Sequence, residues 1–344
     1  MEFDLFKFLN KKEGVCEAPF SQAYIYPDGR VYLCPDCYLH PNAQIGNLND
    51  DSFEKIWNSR KAQNIRTQIL KKLYVFCSYP YCRVKSNYNS YIVPEKNIDY
   101  SPIVKRFPKM VCMAIDAECN VNCVMCRGDL FRCTDEEIEV LKEKIENLYL
   151  PILKDAEYLT LSTTADPFAS RTTRLLMKRA AQIYPKLKFN LLTNGTLCDE
   201  YNCKDTGIID RLGSIMFSVH SCTKETYDSI VKNGNFENVC KNIQRMSSLK
   251  KRGKVDNFFL AFVVSSKNHF EIPKFMEFAK ENGAVALFWV CRDWGGNLSY
   301  AGEDLSVWLP HHPKYPELKQ ILKSLNLKQN YAYISPDLLK IRNS

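Results

Sequence analysis

From residue 110 onward, short apolar runs alternate with longer stretches whose apolar residues return every three or four positions. The runs at 111–117, 157–162, 188–193, 214–219, 257–264 and 284–290 are rich in aliphatic and aromatic side chains, which suits strands buried on both faces. The stretches between them predict helices. Thr134 with Glu137 makes a capping box that opens a helix over 134–149. Ser170 precedes a helix over 171–184, which Pro185 ends. Further helices are predicted over 199–212, 223–231, 235–251 and 269–282. The last has Pro273 in its first turn, Gly283 at its end, and Ile272, Phe275, Met276 and Ala279 on one face. Six strands alternating with helices predict an α/β fold with a parallel sheet and right-handed crossovers. An open doubly wound sheet and a barrel both fit, and either places reactive groups beyond the carboxyl ends of the strands.

Upstream the pattern changes. Tyr24 to Cys34 reads as a β-hairpin turning at Asp28-Gly29. A helix follows from Ser52 through Trp57, Ile65, Ile69 and Leu70. Residues 86–109 show no sustained period and carry Pro94, Pro102 and Pro108, so they read as a linker. The expected organisation is a small module over 1–85, a linker over 86–109, a large domain over 110–295 and a C-terminal extension over 296–344. A chain of 344 residues suits two domains.

Composition changes this picture at one residue type. Fifteen cysteines are too few for a small disulfide scaffold, and their odd number forbids complete pairing. The start, Met1-Glu2-Phe3-Asp4, lacks a signal peptide's apolar segment, so a reducing, cytoplasmic location is expected. In that setting clustered thiols point to metal or cluster ligation. The net charge of +8, from 47 basic and 39 acidic residues, is spread along the chain. It suits a solvated surface or attraction to an anionic substrate or acidic redox partner. No basic tract suggests nucleic acid as a partner, and no apolar run is long enough to span a membrane.

The tightest group is Cys119-x3-Cys123-x2-Cys126, on the loop after the first strand of the repeat. Three thiolates hold three irons of a four-iron cluster and leave the fourth open, as a catalytic metal site requires. A zinc knuckle completed by Cys133 is the competing reading. The remaining cysteines, Cys112, Cys133, Cys198, Cys203, Cys222, Cys240 and Cys291, read as small buried hydrophobes.

This motif resembles that of the radical S-adenosylmethionine (SAM) enzymes. Other segments, from Met110 to Trp294, are similar in order and position: Leu161 to Phe168, Leu192-Thr193-Asn194-Gly195, Ser218-Val219-His220, and Val263-Val264 with Asn268. Thr164-Ala165 stand where the family carries glycines, and His220 where relatives often carry an acidic residue. The resemblance implies a partial (β/α)6 TIM-like barrel in which Cys119, Cys123 and Cys126 hold a [4Fe–4S] cluster. It places SAM against Thr164, Ala165, Asp166, Pro167, Thr193, Asn194, Ser218, His220 and Val264. SAM would be reductively cleaved, and the 5′-deoxyadenosyl radical would take hydrogen from a substrate. A flavodoxin- or ferredoxin-type donor would deliver the electron.

The N-terminal module has four or five thiols and little core of its own, so a metal or cluster is needed to hold it together. A structural zinc ribbon fits these ligands as well as an iron–sulfur cluster does. The module resembles the SPASM or Twitch auxiliary-cluster domain, carried by Cys16, Gly29-x4-Cys34, Ile45-Gly46-Asn47-Leu48, Phe53-x3-Trp57 and the pair Cys77 and Cys82. The resemblance implies one auxiliary [4Fe–4S] cluster on Cys16, Cys34, Cys77 and Cys82, with Cys37 as competitor. Such domains usually follow the radical SAM core, and here the module precedes it. The expected activity is that of an oxidoreductase, dehydrogenase or epimerase. Cys222 is a candidate hydrogen donor for epimerisation. Segments 234–237 and 309–313 look similar to proteins of surface-polysaccharide synthesis, which favours a sugar or glycan precursor. A peptide-modifying enzyme is the alternative, and a non-catalytic zinc or iron–sulfur partner-binding protein is the reading from another class.

Overall fold

A computed structural model describes residues 15–34, 42–77, 92–93, 101–126, 129–161, 164–292, 299–327 and 331–344. The chain forms two compact units that interleave in sequence. The first takes 1–116, 135–163 and 179–188, and the second takes 117–134, 164–178 and 189–344.

In the first unit the expected hairpin pairs β1 (Gln22–Ile25) with β2 (Arg30–Tyr32), and β3 (Gly46–Asn47) continues it antiparallel. The turn depends on Gly29, whose φ is +84°; a Cβ there would lie 2.4 Å from the Asn47 Oδ1. Behind the hairpin, α1 (Phe53–Trp57) and α2 (Arg60–Leu70) pack around a buried cation. Arg66 is fully buried and lies 4.4 Å over the Trp57 ring. Its guanidinium donates to the Pro19 and Pro102 carbonyls and to Asn58 Oδ1, and burial lowers its pKa to about 10. The Trp57 indole donates to the Arg106 carbonyl, so residues 102–106 of the expected linker are tied to these helices. β1 also runs parallel to β4 (Met110–Met113), from Gln22 opposite Met110 to Ile25 opposite Met113. After α3 (Asp135–Lys144), β5 (Tyr158–Leu161) pairs parallel with β4, giving the order β5-β4-β1-β2-β3.

The second unit is built on parallel strands, as the alternating pattern predicts. α4 (Arg171–Ile183) is capped by Ser170, whose hydroxyl accepts from the Thr173 amide. β6 (Lys188–Thr193) follows, and then α5 (Glu200–Asp205), shorter than expected because Gly207, at φ +71°, closes its end. β7 (Leu212–Ser218), α6 (Lys224–Ile230), α7 (Phe236–Lys251), β8 (Val255–Val264), α8 (Ile272–Glu281) and β9 (Val285–Val290) complete the alternation. The C-terminal extension adds α9 (Tyr315–Ser324), β10 (Ala332–Ile334) and α10 (Pro336–Asn343), and β10 pairs parallel with β9. The order is β6-β7-β8-β9-β10.

The core of this unit is aromatic. Phe262 lies 4.8 Å from Phe275 and 5.4 Å from Phe288 between ring centres, and α8 buries the predicted face of Ile272, Phe275, Met276 and Ala279. Each such ring pair contributes ~1 kcal/mol beyond area burial. The strands differ from expectation in one respect. β6, β7 and β9 alternate buried with half-buried residues, so only one face is fully packed. The other face lines up Leu192 beside Met216, Met216 beside Phe259, and Phe259 beside Val285. No helix among the described residues is long and apolar enough to cross a membrane.

Candidate metal and cofactor site

The three clustered cysteines lie in the second unit, on a loop held at several points. Asn122 and Cys123 form a two-residue antiparallel ladder with Lys232 and Val231, and the Val124 amide donates to the Ile230 carbonyl. The Cys126 amide closes a turn onto the Cys123 carbonyl. Cys119 is buried, Cys123 half-buried and Cys126 exposed, and none of the thirteen described cysteines is in a disulfide. The Asn194 side-chain Nδ2 lies 3.7 Å from Cys119 Sγ and donates to Asn120 Oδ1, while Asn120 Nδ2 donates to the Thr196 hydroxyl. A donor aimed at a ligand sulfur favours the thiolate, the form that binds iron.

The residues expected around SAM come from the same unit. Thr164 and Ala165 are half-buried and Pro167 is buried. Asp166 is 2% exposed, and its carboxylate accepts from the Thr193 hydroxyl and the amides of Asn194, Phe168 and Ala169. Burial nevertheless raises its pKa against these four donors. Its carboxylate therefore joins the loop after β5 in sequence to the end of β6. Ser218 is half-buried at the end of β7, and Val264 is fully buried at the end of β8.

His220 follows β7 with φ +62°, in the left-handed region that a non-glycine residue enters only under constraint. The constraint is visible: Nδ1 accepts from the Val263 amide, and the carbonyl accepts from Asn268. The imidazole therefore carries its proton on Nε2. Burial lowers its pKa to about 4. The native ring refuses a proton that the unfolded ring accepts near pH 6.5. Stability should thus fall by about 1.4 kcal/mol per pH unit from pH 6.5 downward and level off below about 4. Denaturant unfolding of His220→Asn across this range should show a slope shallower by one proton. An unchanged slope would assign the titration to another group.

Several residues of the site carry no local sequence signal. Glu118 is buried and accepts from the Cys133 amide, the Arg171 amide and the Arg171 guanidinium. Glu271 accepts from the Ser221 and Thr223 hydroxyls and the Cys222 amide, and so holds the loop that leads into α6 from about fifty residues away. Burial opposes the charge of Glu271, yet these donors keep its pKa below the usual value. Cys222 lies 3.5 Å from the same carboxylate, and burial followed by that charge pushes it up to about 12. It therefore remains a thiol, the form a hydrogen donor needs.

Tyr227 tests the fit of a cofactor. It is fully buried near Cys123 and Cys119, and its hydroxyl has no hydrogen-bond partner among the described residues. A buried hydroxyl without a partner costs about 1–3 kcal/mol. A cluster on the neighbouring thiolates offers acceptor sulfur, so the donor set and this orphaned hydroxyl both fit one. Among the described residues no three Cys, His, Asp or Glu side chains converge on a point that one ion would occupy. Cluster ligands bind separate irons and stand apart around the cluster.

In the first unit, Cys16 belongs to an apolar cluster with Val15, Ala18, Phe20 and Ile69, and Cys34 and Cys77 pack against it. Three of the four expected auxiliary ligands are thus gathered in one place. Cys82 and the competitor Cys37 lie outside the described residues.

No curated protein matches the chain. Among solved structures, it is similar to anSMEcpe with bound AdoMet, at 19% identity over 62% of this chain and 58% of that one, with a TM-score of 0.43. It is also similar to Streptococcus suis SuiB bound to precursor peptide SuiA, at 13% identity over 89% and 60% with a TM-score of 0.45. A third similarity is to TYW1 with a lysine–pyruvate adduct bound, at 13% identity over 59% and 69% with a TM-score of 0.35. The chain thus spans 58% of the length of the anSMEcpe structure it matches. Residues 16–83, the segment that gathers Cys16, Cys34 and Cys77, match the model of the SPASM family, an iron–sulfur cluster-binding domain.

Proposed function

We propose that the protein is a radical SAM enzyme with one auxiliary cluster, acting on a sugar or glycan precursor. The observation that carries this reading is the loop of Cys119, Cys123 and Cys126, hydrogen-bonded through Asn120 and Asn194 to the end of a parallel strand. The SPASM match at 16–83 supports a second cluster on Cys16, Cys34, Cys77 and Cys82.

Cys119, Cys123 and Cys126 would hold a [4Fe–4S] cluster that supplies one electron for reductive cleavage of SAM. The protein's own part is positional. Asp166 fixes the backbone of Asn194, and Asn194 fixes Cys119. His220 presents a neutral Nε2–H donor at the end of β7. The half-buried row of Leu192, Met216 and Phe259 offers an apolar wall that keeps water from a reactive radical. The segment 234–237 has a structural task, since Asn235 Oδ1 accepts the Asn238 amide and caps α7.

Anaerobically purified protein should carry about eight irons per chain and release 5′-deoxyadenosine from SAM under reducing conditions. Stoichiometric zinc, no iron and no cleavage would sink the proposal. Mass spectrometry with candidate sugars and peptides should show a modified sugar. A modified peptide would transfer the protein to the peptide-modifying enzymes.

A further inference from the structure

Cys198 and Cys203 take no part in the proposed SAM chemistry. Cys198 ends the loop that follows β6, and Cys203 sits on α5; both are fully buried, with their sulfurs 3.9 Å apart. Between them reaches Arg245 of α7. Its Nη2 donates to the Cys198 carbonyl and lies 3.2 Å from Cys203 Sγ and 3.9 Å from Cys198 Sγ. Its Nε is buried with no hydrogen-bond partner among the described residues. Arg245 is half-buried, and it brings a fixed positive charge against both sulfurs, which two thiols packed as hydrophobes do not require. A thiolate at Cys203 meets that charge.

We propose that Cys198 and Cys203 form a thiol–disulfide site oxidised by peroxide. The Cys203 thiolate attacks one peroxide oxygen, forming a sulfenic acid and releasing hydroxide, which the proton lost from Cys203 converts to water. The Cys198 sulfur then attacks Cys203 and displaces a second water. The two thiols lose two hydrogens, and one peroxide becomes two waters. The hydrogen bond from Cys198, with help from Arg245 and against burial, keeps the Cys203 pKa below the usual thiol value, while burial raises that of Cys198. Peroxide is small enough to enter when the short helix α5 opens locally.

The disulfide also acts on its surroundings. Closing 3.9 Å to a bond of about 2.05 Å pulls on Cys198. Two residues earlier, Thr196 accepts from Asn120, and Asn242 holds the Gly195 and Thr196 carbonyls. Oxidation therefore strains the network that reaches Cys119 through Asn194.

The test treats the anaerobically purified protein with about one equivalent of hydrogen peroxide, then alkylates and digests it. Both cysteines fall in the tryptic peptide 189–204. That peptide should be lighter by two hydrogens while Cys112 and Cys291 remain alkylated, and Cys203→Ser should abolish the loss. Arg245→Gln should slow oxidation by on the order of tenfold. Hydrogen exchange should quicken at Thr193 to Thr196 in the oxidised protein. Peptide 189–204 bearing two alkylated thiols after the peroxide is consumed would overturn the site, and unchanged exchange would overturn the coupling. The disulfide readout needs neither cluster nor SAM, so it can fail while the proposed enzyme stands, and stand while that fails.

Discussion

Replacing Cys123 with alanine is expected to lower 5′-deoxyadenosine release at least about 1,000-fold, equivalent to ~4 kcal/mol of barrier. Iron should fall from about eight to about four per chain. Cys123 is the middle cysteine of the motif, and the hydrogen bonds described above that hold its loop are made by backbone groups. The ladder from Asn122 and Cys123 to Lys232 and Val231 is backbone, as are the Val124 and Cys126 hydrogen bonds. The variant should therefore keep its fold, seen as an unchanged circular dichroism spectrum, while losing one cluster. Cleavage within tenfold of the parent would show that Cys123 is not a ligand. Loss of cleavage with all eight irons retained would assign the defect to SAM binding instead.

Elements whose cause is local were legible in the sequence. β6 covers 188–193 as its apolar run predicts, and α8 buries the four residues whose spacing marked its face. The three clustered cysteines share one short loop, so nearness in sequence made them nearness in space. What depended on distant partners was not legible. Glu271 meets Ser221 across fifty residues, and no periodicity encodes that pairing. β10 joins β9 from the C-terminal extension, where a three-residue strand is too short to show a pattern. The pairing of β1 with β4 is equally silent, because a hairpin strand carries the same alternation whether its outer edge is free or occupied. Burial on one face only was hidden because an apolar residue on a half-open face reads like one in a core. Cys198 and Cys203 read as packing residues in the sequence because Arg245, which contacts both sulfurs, lies more than forty positions away.

Replacing Cys34 with alanine should separate the two clusters. Cys34 belongs to the first unit, and Cys119, Cys123 and Cys126 to the second. The variant should keep SAM cleavage within about tenfold of the parent and fall from about eight to about four irons, yet yield no product. Cys34 packs both against the apolar cluster of Cys16 and Ile69 and against Tyr24, Tyr32 and Cys112, so truncation also removes packing. Cys112→Ala separates the two effects. Cys112 is fully buried, and burial pushes its pKa up to about 12, which disfavours the thiolate that iron requires. If Cys34 is a ligand, its loss removes four irons, whereas loss of Cys112 removes none and costs only a small-cavity penalty of ~1 kcal/mol. Equal iron loss in both variants would mean that packing, not ligation, holds the auxiliary cluster. Full iron and full product in Cys34→Ala would move the ligand set to another thiol, and Cys37 is the one the sequence offers.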